Sequence, residues 1–159
     1  MEFFTIGVYN STEEEFFEKL TQNNIDTFCD IRRRRGVRGA KYSFVNSNRL
    51  QQKLNDLEIK YGHIPGLAPT TEIRELQKEI DEEKGELKRE RQELGEIFVT
   101  EYKNRILKKF NFEEFFEKLD QAGANRIALF CVEECPKACH RSIVADKLMN
   151  NYRYGITHL

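Results

Sequence analysis

The chain reads as a single α/β domain, a mainly parallel sheet flanked by helices with a long charged helical insertion. Three observations predict this. Short apolar runs alternate with amphipathic helical segments along the chain. The heptapeptide Glu14-Glu-Phe-Phe-Glu-Lys-Leu20 recurs unchanged as Glu113-Glu-Phe-Phe-Glu-Lys-Leu119. Each copy is followed by a polar turn and an apolar run carrying Phe-Cys, at Phe28-Cys29 and Phe130-Cys131. Two helix-turn-strand units are therefore expected, and parallel strands would release their following loops at one sheet edge.

Each element has a local reason. Phe3 to Tyr9 is a short apolar run with β-branched residues that stops at Asn10-Ser11, as a buried strand does. Ser11 or Thr12 ahead of Glu13, Glu14 and Glu15 is a helix start, with acids facing the positive end of the dipole. Phe16, Phe17 and Leu20 supply its apolar face, and Ile25 to Ile31 is the second strand. Asn46 to Leu57 is helical, with Leu50, Leu54 and Leu57 on one side. Tyr61 to Pro69, with two glycines and two prolines, is read as a loop. From Thr70 a charged helical arm runs through 72–104, with Ile73, Ile80, Leu87 and Leu94 as a thin seam and Gly85 and Gly95 weakening it. It is expected to lie as a solvated helix or helical pair over the domain, with self-association through 72–94 as the alternative. A helix from His140 to Asn151 and a strand within 154–159 close the chain, so 1–159 forms one domain.

The 159 residues hold 26 Lys+Arg against 27 Asp+Glu, a formal net charge of −1, which excludes a protein that coats nucleic acid through overall charge. The charge is segregated instead. Positions 32 to 41 carry six cations and no acid, whereas residues 72 to 96 carry ten acids and six bases. Twelve Phe and six Tyr argue against disorder. No apolar run is long enough to span a bilayer, and the N-terminal residues do not resemble a leader, so a cytoplasmic protein without a membrane partner is expected. The four cysteines in that compartment would be core residues, ligands or nucleophiles.

Three groups of residues carry chemistry. After the second strand comes Asp30-Ile-Arg32, followed by Arg33, Arg34, Arg35, Arg38 and Lys41. Arginine forks match phosphate oxygens, and Arg32, nearest the strand, is the one expected to point inward. After the strand of the second unit comes Cys131-Val-Glu133, then Cys135 and Cys139-His140-Arg141. The last three fall at a helix start, where a thiolate is favoured. Cys135 and Arg141 match the spacing of a phosphatase cradle, but Pro136 lacks an N–H and the loop has no glycine to let amides converge. No cofactor is expected; zinc held by Cys131, Cys135, Cys139 and His140 is the alternative, against which stands a spacing unlike that of structural zinc sites. The third group is Tyr61-Gly-His63, whose imidazole could serve as acid, base or phosphate donor.

Together these pieces resemble the domain of unknown function 488 family. The matching residues are Thr5-Ile6-Gly7 with Asn10, Asp30-x-Arg32, Arg38 with Phe44 and Asn46, Tyr61-x-His63, Phe98 to Tyr102, Cys131-x-Glu133 and Cys139-His140-Arg141, with His158-Leu159 closing. The chain departs from the pattern at Cys135, at Gly66-Leu67-Ala68 and in the long charged arm. The resemblance implies a Rossmann-like domain with these residues gathered at one sheet edge; it implies no reaction.

The resulting expectation is an anion-binding pocket for a nucleotide-like or phosphate-bearing ligand at the carboxyl edge of the sheet. Asn10, Asp30, Arg32, Arg38, Glu133 and Arg141 would bind, and Cys139, His140 and His63 would do the chemistry of a hydrolase or transferase. A nucleic-acid module using Arg33, Arg34, Arg35 and Lys41, and a protein-interaction module, are the alternatives.

Overall fold

The computed structural model describes residues 1–88 and 90–159. Five strands, β1 (Glu2–Ile6), β2 (Thr27–Asp30), β3 (Lys60–His63), β4 (Arg126–Phe130) and β5 (Ile156–His158), form one sheet in the order β3-β2-β4-β1-β5. Every pairing is parallel. The helices are α1 (Glu13–Gln22), α2 (Ser47–Asp56), α3 (Thr71–Lys84), α4 (Glu96–Tyr102), α5 (Phe112–Gln121) and α6 (His140–Tyr152). No helix among the described residues is long and apolar enough to cross a membrane.

The repeated heptapeptides form α1 and α5, and the strands that follow them, β2 and β4, are neighbours. They pair with a stagger: Phe28 lies opposite Ala128, and Asp30 opposite Phe130. The two helices cover opposite faces. Phe16 of α1 packs on Phe28 and Phe130 at 6.3 and 5.5 Å, whereas Phe115 of α5 packs on Phe3 at 6.5 Å. Phe3 registers with Ile127, one residue out of phase with that first face. Thus the same seven residues serve both layers of a doubly covered sheet, whose central strands β1 and β4 are buried along all but their first residue.

Local signals decide the helix ends. Thr12 closes a capping box with Glu15, and Thr70 and Asn111 cap α3 and α5 through their side chains. Asn46 precedes α2, but its Oδ1 accepts from Val37 N at 2.7 Å and so ties down the preceding loop.

One expectation is corrected. Residues 61–69 do not form a loop throughout, because Lys60–His63 is the edge strand β3, paired with β2. The charged arm takes the second of its two expected forms, a helical pair, α3 and α4. Gly85 adopts a left-handed conformation at φ 65° and ends α3, and residues 86–88 and 90–95 form a strap before α4. α4 continues into a π-helical turn, Lys103–Leu107. Gly95 sits where a Cβ would meet Ile80 Cδ1 at 2.4 Å, so the returning chain presses directly on α3. Arg89, within the arm, lies outside the described residues.

The crossovers make a topological switch. From β1 the chain crosses over the α1 face to β2; from the adjacent β4 it crosses over the α6 face to β5. The loops after β1 and β4 therefore diverge, leaving a crevice at the carboxyl edge.

Candidate active site

Backbone hydrogen bonds join the two loops flanking that crevice. Val8 N and Tyr9 N both donate to Val132 O, at 3.1 and 3.0 Å. Gly7 is required here, since a Cβ would stand 2.0 Å from Glu133 O. A cleft of about 290 Å³ opens beside this junction, lined by Gly7, Tyr9, Asn10, Ser11 and Glu134 among others. Asn10, at φ 61°, turns its Nδ2 to Glu134 rather than into open space.

A buried sulfur and imidazole cluster forms between the end of β4 and the start of α6. Cys139 is the N-cap of α6, so its sulfur stands at the positive end of that helix. His140 Nδ1 is 3.8 Å from Cys139 Sγ and 3.9 Å from Cys131 Sγ. The other ring nitrogen, Nε2, lies 3.2 Å from Ile31 O and donates to it, which leaves Nδ1 facing the two sulfurs. Cys131 Sγ is also 3.5 Å from Glu133 Oε2. Tyr102 packs against the imidazole, with ring centroids 5.6 Å apart.

Electrostatics separate the two thiols. Burial pushes the Cys139 thiol up, but hydrogen bonding from Cys131, the His140 imidazolium and the Arg141 guanidinium pull it well below the usual thiol range. Cys131 moves the other way, well above that range, because its S–H donates to Cys139 and because it is buried. Burial lowers the His140 pKa, and the Cys139 charge outweighs it, so the net shift is upward. Cys29, inside β2, is pushed up to about 12 by burial beside Asp30. These directions favour negative charge on Cys139 and positive charge on His140, and they keep Cys131 neutral.

Asp30, Arg32 and His63 make a second group. Asp30, 0 % exposed, accepts from Arg32 Nε and Nη2 at 2.8 and 2.7 Å and from the Tyr61 hydroxyl at 3.0 Å. Arg32 turns inward, its guanidinium 4.6 Å above the Phe130 ring and its Nη2 also bound to Val45 O. Its Nη1 has no partner. His63 Nε2 lies 2.8 Å from Arg32 O, and β2 separates His63 from the strand that leads to Cys131. The two groups meet through one contact, the His140 to Ile31 hydrogen bond.

Arg141 is fully buried and binds the backbone oxygens of Glu133 and Glu134, so it fastens the loop. Its Nε is unpartnered. Cys135 is not drawn into the cluster; its Sγ bonds Gln92 O at 3.2 Å. Of the four residues considered for zinc, Cys131, Cys139 and His140 come together, with donor atoms within 4.8 Å of one another, and these three could hold a soft cation. Arg33, Arg34, Arg35, Arg38 and Lys41 stay on the surface.

The strap contributes residues that the sequence reading did not single out. Arg91, buried, bonds Asp81 Oδ2 at 2.7 Å and Ala138 O at 2.8 Å, and reaches Glu133 Oε1 at 3.5 Å. Gln77 bonds the same Asp81, and Lys88 pairs with Glu133 at 3.2 Å. The signal was present. Gln77 and Asp81 follow Ile73 at intervals of four, two polar residues on the inward stripe of a helix, which is where a buried network announces itself.

Comparison with known proteins adds a family and nothing finer. No curated protein and no solved structure gives a significant match. The profile of the family described as Domain of unknown function DUF488 matches residues 12–148, most of the chain, and the protein therefore belongs to that family.

Proposed function

We propose that the protein is an enzyme that uses the Cys139 thiolate as a nucleophile on a phosphate-bearing substrate at the carboxyl edge of the sheet. The observation that carries this reading is the pairing of Cys139 Sγ with His140 Nδ1 at 3.8 Å, with Nε2 committed to Ile31 O. A third group orienting the base beside a nucleophile is the arrangement covalent catalysis uses. Cys139 Sγ attacks phosphorus, and the bond from phosphorus to the leaving oxygen breaks. The His140 Nδ1 proton goes to that oxygen. Water then cleaves the S–P bond, giving its proton to His140 and restoring the thiolate; an acceptor hydroxyl in its place makes the enzyme a transferase. Lys88 and Arg91 of the strap are neutralised by Glu133 and Asp81 and so position the loop that carries Glu133 rather than hold the substrate.

The thiolate is tested by its ultraviolet absorption near 240 nm. At pH 7 the wild type should absorb more than Cys139→Ser by the equivalent of one thiolate, and His140→Leu should lose the same increment. Equal absorption in wild type and Cys139→Ser overturns the reading. So does one equivalent of zinc retained through purification, since the thiolate would then be a ligand.

A further inference from the structure

The loop 33–42 offers a second surface, distinct from the buried cluster. Arg33, Arg34, Arg35, Arg38 and Lys41 are all exposed, and none of them joins an ion pair among the described residues. Other exposed cations, such as Lys60, Lys103 and Arg153, also lack an ion pair among the described residues, so what marks this loop is the density of its charge with no acid between. Five unneutralised charges within nine positions repel one another, so a surface that keeps them together is suited to a partner that brings negative charge.

The loop is also held in place. Val37 N is bound by Asn46, Ser47 N donates to Arg35 O at 2.9 Å, and buried Arg32 and Phe44 anchor its two ends. Beside it stand two half-buried tyrosines. Tyr9 and Tyr42 pack with ring centroids 5.2 Å apart, and Lys41 lies 5.2 Å above the Tyr42 ring. The Tyr42 hydroxyl accepts from Asn10 N at 2.9 Å, which joins this shelf to the crevice between β1 and β4.

Cations that follow a backbone and aromatic plates that take flat rings are the two components of single-strand recognition. A duplex hides its base faces. A bilayer would call for an apolar anchor, and no large exposed hydrophobic residue lies in this loop. We propose that the loop 33–42 and the Tyr9–Tyr42 pair form a binding surface for single-stranded nucleic acid. This goes beyond the catalytic reading and does not depend on it.

The test is fluorescence anisotropy of the full chain with a labelled oligothymidine, titrated at several salt concentrations. With three phosphates engaged, log affinity should fall against log salt with a slope of about −2. The variant carrying R33Q, R34Q, R35Q, R38Q and K41Q should bind about 30-fold more weakly at low salt and lose most of that slope. Tyr42→Leu should weaken binding about tenfold with the slope unchanged, because stacking releases no counterions. Thermal unfolding checks that both variants are folded, and Cys139→Ser should bind as the wild type does, whatever its effect on the thiolate. Three results each overturn the proposal: no binding of the oligonucleotide at low salt, equal affinity of the five-residue variant, or equal or tighter binding of a duplex or of anionic phospholipid vesicles.

Discussion

Asp30 and Arg32 are charged groups in surroundings where charge is costly, the carboxylate 0 % and the guanidinium 5 % exposed. They persist because they satisfy each other through two parallel hydrogen bonds and draw on Tyr61 and Val45 as well. Burial beside Asp30 has a visible consequence in Tyr61, whose phenol is pushed up to about 12. Removing one partner leaves the other buried and uncompensated. Asp30→Asn should therefore destabilise the fold by about 3–5 kcal/mol in urea unfolding, while the double replacement Asp30→Leu with Arg32→Met should recover most of that loss. If the double variant is no more stable than the single one, the pair does more than neutralise itself, and the unpartnered Arg32 Nη1 becomes the atom to explain. The inward turn of Arg32 was legible from its place directly after a strand. The fate of Arg141 was not. Its position at a helix start suggested an anion, and only the path of the loop reveals that two carbonyl oxygens occupy its fork.

Among the elements, those with a strong apolar period or a cap were legible in the sequence, and those defined by their neighbours were not. α1 has its Thr12 to Glu15 box and its Phe16, Phe17 and Leu20 stripe, so its start and its inward face could both be read. β3 could not, because Lys60-Tyr-Gly-His is short and half-exposed, carries a glycine and pairs on one side only; it is a strand because β2 offers it an edge. At the opposite edge β5 is shorter still, three residues, and a side-chain contact helps hold it. The Thr5 hydroxyl lies 2.6 Å from His158 Nδ1 and can donate to it only while that ring is neutral. Burial, with Arg141 adding to it, holds the His158 imidazole below the ordinary histidine range. The unfolded chain therefore takes up this proton first as pH falls. The stability from this residue is complete above the unfolded value of about 6.5 and is lost as pH drops from there through the lower folded value. Thermal midpoints between pH 7.5 and 5.5 should fall less steeply for His158→Gln than for the wild type. Equal slopes would show that the ring titrates freely.

At the scale of the whole molecule, the near-zero net charge conceals a division of labour. The basic loop lies on the surface beside β2, and the acidic arm folds back on the domain to place two of its few cations, Lys88 and Arg91, against Glu133. The arm is therefore more than a solvated helix, and its strap lies across the turn that leads into Cys139. Arg91 is the fastening: it joins Asp81 of α3 to Ala138 O, next to Cys139, and Leu94 N adds a bond to Lys137 O at 3.1 Å. Cys139 is 1 % exposed, so the proposed reaction requires a neighbouring segment to lift, and the strap is the one bonded to the residue before it. α3 is stopped by Gly85 and α4 begins after Gly95, so the strap lies between two helix ends. Arg91→Met should loosen it and leave the sheet intact, so Cys139 should react with a small thiol reagent about tenfold faster than in the wild type. The melting temperature should fall as well, because Asp81 and Glu133 then stay buried without their guanidinium partner, so a comparison with a second thiol decides the matter. Cys29, buried inside β2, supplies the internal standard. If it accelerates in parallel with Cys139, the variant has loosened the whole domain. If Cys139 alone accelerates, the strap is the cover of the site, and the exchange of one arginine separates access from fold.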